Sequence, residues 1–178
     1  IYDLNTKTLT TIDESELGSA VTGCAWSEDG KSLYAMAGNE MLMVRRYDLE
    51  TKEITTITTV PGIDSELFIR GNILYYLDVS DEVETVFALN QETDESTEIA
   101  KAEFFTMSQD GTYILLKNTD YDHEEGYAIL DLYSTKDKTK TNVATGMMLN
   151  DYFFSVDGKK IYIIADNTEA NANEYLYS

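Results

Sequence analysis

Three short stretches of the 178-residue chain repeat one pattern: "WSEDGK" at 26–31, "MSQDGT" at 107–112 and "FSVDGK" at 154–159. Their glycines, together with Gly71 of "RGN" at 70–72, fall at 30, 71, 111 and 158, so they are spaced by 41, 40 and 47 residues. An Asp-Gly pair between two apolar runs predicts a β-hairpin, because those residues tolerate positive φ at both centres of a type I′ turn. A second marker follows about 20 residues later, as "IYDLNTKTLTTI" (1–12), "RYDLETKEITTI" (46–57), "VFALNQETDESTEI" (86–99) and "ILDLYSTKDKTKTNV" (129–143). Aligned on Leu4, Leu49, Leu89 and Leu132, it repeats at 45, 40 and 43 residues. Two markers that keep one period of roughly 40–50 residues predict four-stranded propeller blades.

Each unit divides into strands A to D, for the first at about 21–26, 32–37, 41–49 and 54–60. The second and third strands are apolar on both faces, as in "YILL" (113–116), "IYII" (161–164) and "MLMV" (41–44). A strand exposed on one face would alternate instead. The fourth strand is Thr-rich and polar, as in "ITTITTV" (54–60), which suits an outer edge in water. With one proline and no long helical pattern, the chain is predicted to be an all-β propeller of about four antiparallel blade units. Residues 1–178 read as a single propeller domain or segment, with blades at about 15–60, 61–102, 103–145 and 146–178 and residues 1–14 as a leading outer strand.

The segments "WSEDGKSLYAMAG" and "FSVDGKKIYIIAD", each joined to a "YDL"-type segment, resemble the TolB-type propeller repeat, an aromatic-Ser-Pro-Asp-Gly-Lys motif. Glu28, Gln109 and Val156 stand where that motif has proline, so the resemblance is to a divergent member. Such repeats occur in TolB-like periplasmic proteins, in surface lipoproteins and in the propellers of prolyl-oligopeptidase-type proteins. The resemblance therefore implies an extracellular, periplasmic or cell-envelope setting. It also implies rings of six to eight blades, so this chain, which opens at Ile1 in mid-strand, is expected to be part of a larger ring. The alternative is a closed four-bladed ring in which residues 7–13 complete the last blade.

The formal charge is −20, from 33 acidic and 13 basic side chains. Such a field repels nucleic acid and anionic lipid and favours cations and basic partners. No stretch approaches the roughly 20 apolar residues of a membrane-spanning helix, so no direct membrane insertion is expected. Blade topology sorts the loops onto two faces. Eight lysines and arginines fall on the A–B and C–D hairpins, whereas the B–C loops are acidic: "GNE" (38–40), "DVSDEVE" (78–84), "NTDYDHEEG" (118–126) and "DNTEANANE" (166–174). The D–A connections "IDESELG" (12–18) and "GIDSEL" (62–67) add to that face. Loops on a rigid propeller commonly bind ligands, although acidic loops also simply keep a protein soluble. The candidate partner-binding residues are Asp81, Glu82, Glu84, Asp120, Tyr121, Asp122, Glu124 and Glu169. Tyr121 is the exposed aromatic among them, and aromatics anchor interfaces.

Within this set Asp120, Asp122 and Glu124 alternate, so they share one side of an extended segment and form a candidate calcium site. No other cofactor is expected. The lone His123 has no partner for a zinc site, and no G-x-S-x-G elbow accompanies it, so no catalytic residues are assigned. The single cysteine, Cys24, opens an apolar strand and is expected to be a buried small hydrophobe, and Trp26 is expected to pack. Two functions follow as expectations. One is a non-catalytic scaffold for a protein or peptide partner, with self-association through open blade faces. The alternative is the substrate-gating propeller of a larger serine peptidase.

Overall fold

The computed structural model describes residues 1–13, 17–18, 20–38, 41–61, 67–79, 83–122, 126–166 and 174–177. β1 (Tyr2–Asp3) and β2 (Thr8–Leu9) form a two-stranded ribbon. β3 (Val21–Trp26), β4 (Ser32–Ala37), β5 (Met41–Asp48) and β6 (Ile54–Pro61) make one antiparallel sheet in chain order. β7 (Leu67–Arg70), β8 (Ile73–Asp78), β9 (Thr85–Asn90) and β10 (Glu95–Lys101) make a second. β11 (Phe104–Met107), β12 (Tyr113–Asp120), β13 (Tyr127–Ser134), β14 (Lys140–Phe154), β15 (Ile161–Asp166) and β16 (Glu174–Tyr177) form a six-stranded sheet. Four-stranded antiparallel meanders of this kind are propeller blades. β14 belongs to two of them: it pairs with β13 up to Met147 and with β15 from Met148 onward. The outer strand of the third blade thus runs directly into the inner strand of the fourth.

β4, β8 and the first half of β12 are the most buried, while β6 and β10 are largely exposed. The chain forms two compact units, Ile1–Glu82 with Phe87–Glu98, and Val83–Val86 with Ile99–Ser178. In the first, Tyr34, Met36, Leu42 and Val44 pack against Leu67, Ile69, Leu74, Tyr76 and Leu89. Tyr76 and Phe87 stack there with ring centroids 5.8 Å apart. The second unit centres on Leu115, Leu130, Ile163 and Ala165. Each large aliphatic side chain removed from water in these cores contributes about 1.5–3 kcal/mol.

The hairpin tips differ from the predicted type I′ turns. Gly30 N donates to Ser27 O (2.9 Å) and Ser27 N to Ser32 O (2.9 Å), so four residues lie between the paired ends. Gly30 is at positive φ (68°), but Asp29 is not. The loop is therefore built around a type I turn closed by a left-handed glycine. The same bonds recur at Ser108 with Gly111 and at Ser155 with Gly158. Aspartate serves here as an acceptor: Asp29 Oδ1 takes the Ser27 hydroxyl (2.7 Å) and the Lys31 amide (3.0 Å).

The second repeat marker also needs realignment. Lys7, Lys52, Asp94 and Lys138, none of them glycine, occupy the left-handed region at φ of 56°, 65°, 57° and 57°. Four residues before each stand Asp3, Asp48, Asn90 and Ser134, which are 45, 42 and 44 residues apart. Asp3, Asp48 and Asn90 each accept two following backbone amides in these turns. Leu4 and Leu49 follow the capping residue, whereas Leu89 and Leu132 precede theirs, so the four leucines are not equivalent. The period survives, because backbone geometry carries it rather than residue type.

Two side chains expected inside are exposed: Cys24, and Trp26 at 47%. Ala25 turns toward the first core, and strand alternation then places Cys24 and Trp26 on the other face. There Leu17 and Ile12 cover Ala35, Tyr47 and Leu33 of β4 and β5, which leaves these β3 positions in solvent. Within the first unit, β2, part of the segment considered for a ring closure, pairs with β1.

Candidate functional site

The β12–β13 loop is shorter than its composition suggests. Asn118, Thr119 and Asp120 continue β12, with Asp120 paired to Tyr127, so the loop proper is 121–126. Gly126 lets it close at φ 66°, and a Cβ there would lie 3.2 Å from Thr119 Cγ2. The loop root is fixed by Glu103, whose Oε2 accepts the Thr119 hydroxyl (2.6 Å) and whose Oε1 accepts the Thr119 amide (3.1 Å). Glu103 N in turn donates to Lys117 O (2.9 Å), and Asn118 Nδ2 to Lys101 O (3.3 Å).

The same 101–103 connection holds Glu84, whose carbonyl accepts the Ala102 amide at 3.1 Å. Within the second compact unit, Glu84 and the Asn118–Thr119 segment that precedes Asp120 are thus tied to one short connection. Tyr121 stands out from it, 79% exposed, and the exposed Asp122 donates its amide to Asp120 Oδ1 (3.1 Å). Of the eight candidate residues, Glu84, Asp120, Tyr121 and Asp122 are described; Asp81, Glu82, Glu124 and Glu169 lie outside the described residues, as does His123. Among the described residues no three acidic, His or Cys side chains are grouped to hold a metal ion. Asp120 uses one oxygen to shape the loop, and the third carboxylate of the predicted calcium set, Glu124, is among the undescribed residues.

Sequence reasoning missed the positive charge at this end of the blade. Lys117 Nζ lies 3.9 Å from Glu103 Oε2 and 4.7 Å from the centroid of the Phe104 ring. Lys117 is cross-paired with Phe104 in the sheet, a pairing that its local sequence "KNT" (117–119) does not indicate. The acidic character at this edge is therefore partly balanced at the root of the loop.

Taken together, the sheets and loops define a propeller scaffold, with antiparallel blades joined by exposed polar loops. In fold the chain is similar to TolB from Acinetobacter baumannii, with a TM-score of 0.68 and 15% identity, over 89% of this chain and 40% of that one. It is also similar to the β-propeller domain of the trilobed protease from Pyrococcus furiosus, described as having an open velcro topology (TM-score 0.67, 18% identity, 88% of this chain and 55% of that one). The tricorn protease is a third such structure, at TM-score 0.58 and 14% identity, over 83% of this chain and 16% of that one. The chain thus spans well under two thirds of the length of each. No protein-family model matches the sequence, and no curated protein does.

Proposed function

We propose that this propeller segment is a non-catalytic scaffold that binds a protein or peptide of basic character through the acidic loop ends of its blades. The carrying observation is Tyr121, a largely exposed aromatic between Asp120 and Asp122 on a loop whose root is braced by Glu103 and Thr119. An exposed aromatic presented by a rigid root loses little entropy on binding, and flanking carboxylates steer a cationic partner toward it. Glu84 extends this contact surface, and Asp81, Glu82, Glu124 and Glu169 are its proposed continuation. The resemblance to TolB-type repeats supports an envelope or extracellular setting and a single propeller domain over residues 1–178.

The test is a Lys/Arg-rich peptide titrated into the chain by calorimetry. Asp120→Lys with Asp122→Lys is expected to weaken binding by about 10-fold or more, and Tyr121→Ala by a similar factor. Affinity unchanged in both variants refutes this reading. The likeness to the trilobed protease propeller supports a second reading, a gating propeller for a serine peptidase. A reading frame that continues into a G-x-S-x-G-bearing domain decides for it.

A further inference from the structure

The first compact unit contains a cavity of about 410 Å³ at the hairpin end of its blades. Its walls include Glu28 and Asp29 from the β3–β4 hairpin, Tyr34 and Arg46 from β4 and β5, and Gly71 and Asn72 from the β7–β8 turn. Tyr34 and Arg46 are directly paired across β4 and β5, so both side chains lie on the face that meets the second sheet.

Most polar groups in this cavity already have partners. Tyr34 Oη donates to Gln91 Oε1 (2.9 Å), Asn72 Nδ2 donates to Glu92 Oε1 (2.6 Å), and Glu28 Oε2 accepts the Gly71 amide (3.3 Å). Arg46 is the exception. Its Nε is buried and makes no hydrogen bond among the described residues. The neighbouring Asp48 feels the Arg46 charge, but its Oδ1 is committed to the amides of Glu50 and Thr51. Arg46 as a whole is half-buried, but its enclosed Nε reaches neither water nor, among the described residues, an acceptor, so an acceptor entering the cavity would gain a donor that is otherwise unused. Guanidinium groups recognise carboxylates and phosphates. Glu28 and Asp29 line the same space, and their two negative charges oppose a multiply charged phosphate. They favour instead a ligand that carries a cationic group beside its carboxylate.

We infer that this cavity binds a small zwitterion, an α-amino acid or the free ends of a short peptide. Arg46 takes the carboxylate, Glu28 and Asp29 take the ammonium group, and the Tyr34 ring forms an apolar wall. The volume lies in the range of small-ligand pockets. The site is independent of the proposed partner-binding residues, since none of them lines it.

Titration of the isotopically labelled chain with L-alanine and with Ala-Ala, followed by amide chemical shifts, tests the inference. Saturable shifts are expected at Lys31, Gly71 and Asn72, with dissociation constants of about 1 mM or below. Acetate and alaninamide, each carrying one charge of the pair, are expected to bind at least about 10-fold more weakly. Arg46→Gln is expected to lower affinity for the zwitterion by about 10-fold or more, with Arg46→Lys recovering part of it. Glu28→Gln provides a second variant from the exposed hairpin, expected to weaken Ala-Ala but not acetate. Response to alanine alone identifies free amino acids as the ligand, and response to Ala-Ala alone identifies peptide ends; either supports the site. Absence of saturable shifts with both, equal affinity for acetate, or undiminished binding in Arg46→Gln and Glu28→Gln overturns it.

Discussion

Ser108 is fully buried, although it belongs to a hairpin tip. Its hydroxyl donates to Asp110 Oδ1 (2.7 Å) and accepts the Tyr113 amide (2.9 Å), so one side chain satisfies both the carboxylate and the returning strand. Ser27 and Ser155 make the equivalent bonds in more exposed positions. Removal of a buried hydroxyl leaves its partners unpaired, where exposed ones turn to water. Ser108→Ala is therefore expected to cost about 1–3 kcal/mol in urea unfolding, and Ser155→Ala distinctly less. The Ser108 hydroxyl, followed by the Thr112 amide, also holds the Asp110 carboxyl below its ordinary range. In Ser108→Ala that carboxyl is expected to titrate at a higher pH, which carbon-detected NMR would read directly. Cost equal to that of Ser155→Ala would show that burial of this hydroxyl has no energetic consequence.

β13 and β14 carry a different polar device at the level of the element. Asp131 is buried in β13, where Lys140 Nζ approaches its Oδ2 at 2.9 Å and Asn142 Nδ2 its Oδ1 at 3.0 Å, both from β14. Burial raises the Asp131 pKa, but the hydrogen bonds from Lys140 and Asn142 and the lysine charge outweigh it, and the net shift is downward. A carboxylate lowered on folding adds stability that is complete above its unfolded pKa, near 3.9, and is lost as pH falls through the folded value. Asp131→Asn is thus expected to cost about 1–2 kcal/mol at pH 7, discounted from a fully buried pair because Lys140 is half exposed. The deficit should shrink in acid melts below about pH 4; a deficit independent of pH would assign the loss to packing.

The second strands of the first three blades were legible because most of their side chains are buried, β12 in its first half, which writes a continuous apolar run into "YILL" and "SLYAMA". The turns were less so. Asp-Gly supports several loop types, and only the hydrogen bond from Gly30 N to Ser27 O distinguishes the longer one formed here. Asp120 read as loop because acidic residues are poor strand formers, yet pairing with Tyr127 holds it in β12. Arg46 follows Arg45 after the apolar run of β5, where a long basic side chain reads as one that reaches out to solvent. Nothing in its local sequence indicates that Glu28 and Asn72, 18 residues before it and 26 after it, meet it in one cavity.

At the scale of the whole molecule, the charge of −20 acts on folding and on binding with opposite signs. Self-repulsion among 33 carboxylates disfavours the compact state, and salt screens it with a Debye length near 10 Å at 0.1 M. Ion pairs that salt would weaken, such as Lys117–Glu103 and Lys140–Asp131, are partly exposed, so each contributes little by comparison. Raising sodium chloride from about 10 mM to about 0.5 M is therefore expected to increase the thermal midpoint by several degrees. The same change is expected to weaken the proposed basic peptide, because attraction between loop carboxylates and a cationic partner is screened by the same ions. The zwitterion cavity should respond far less, since its charges lie partly buried around a ligand with no net charge. A midpoint that falls with salt would mean that specific ion pairs outweigh self-repulsion. Peptide affinity that holds constant across the same range would remove electrostatics from the loop-face interaction and leave Tyr121 as its anchor.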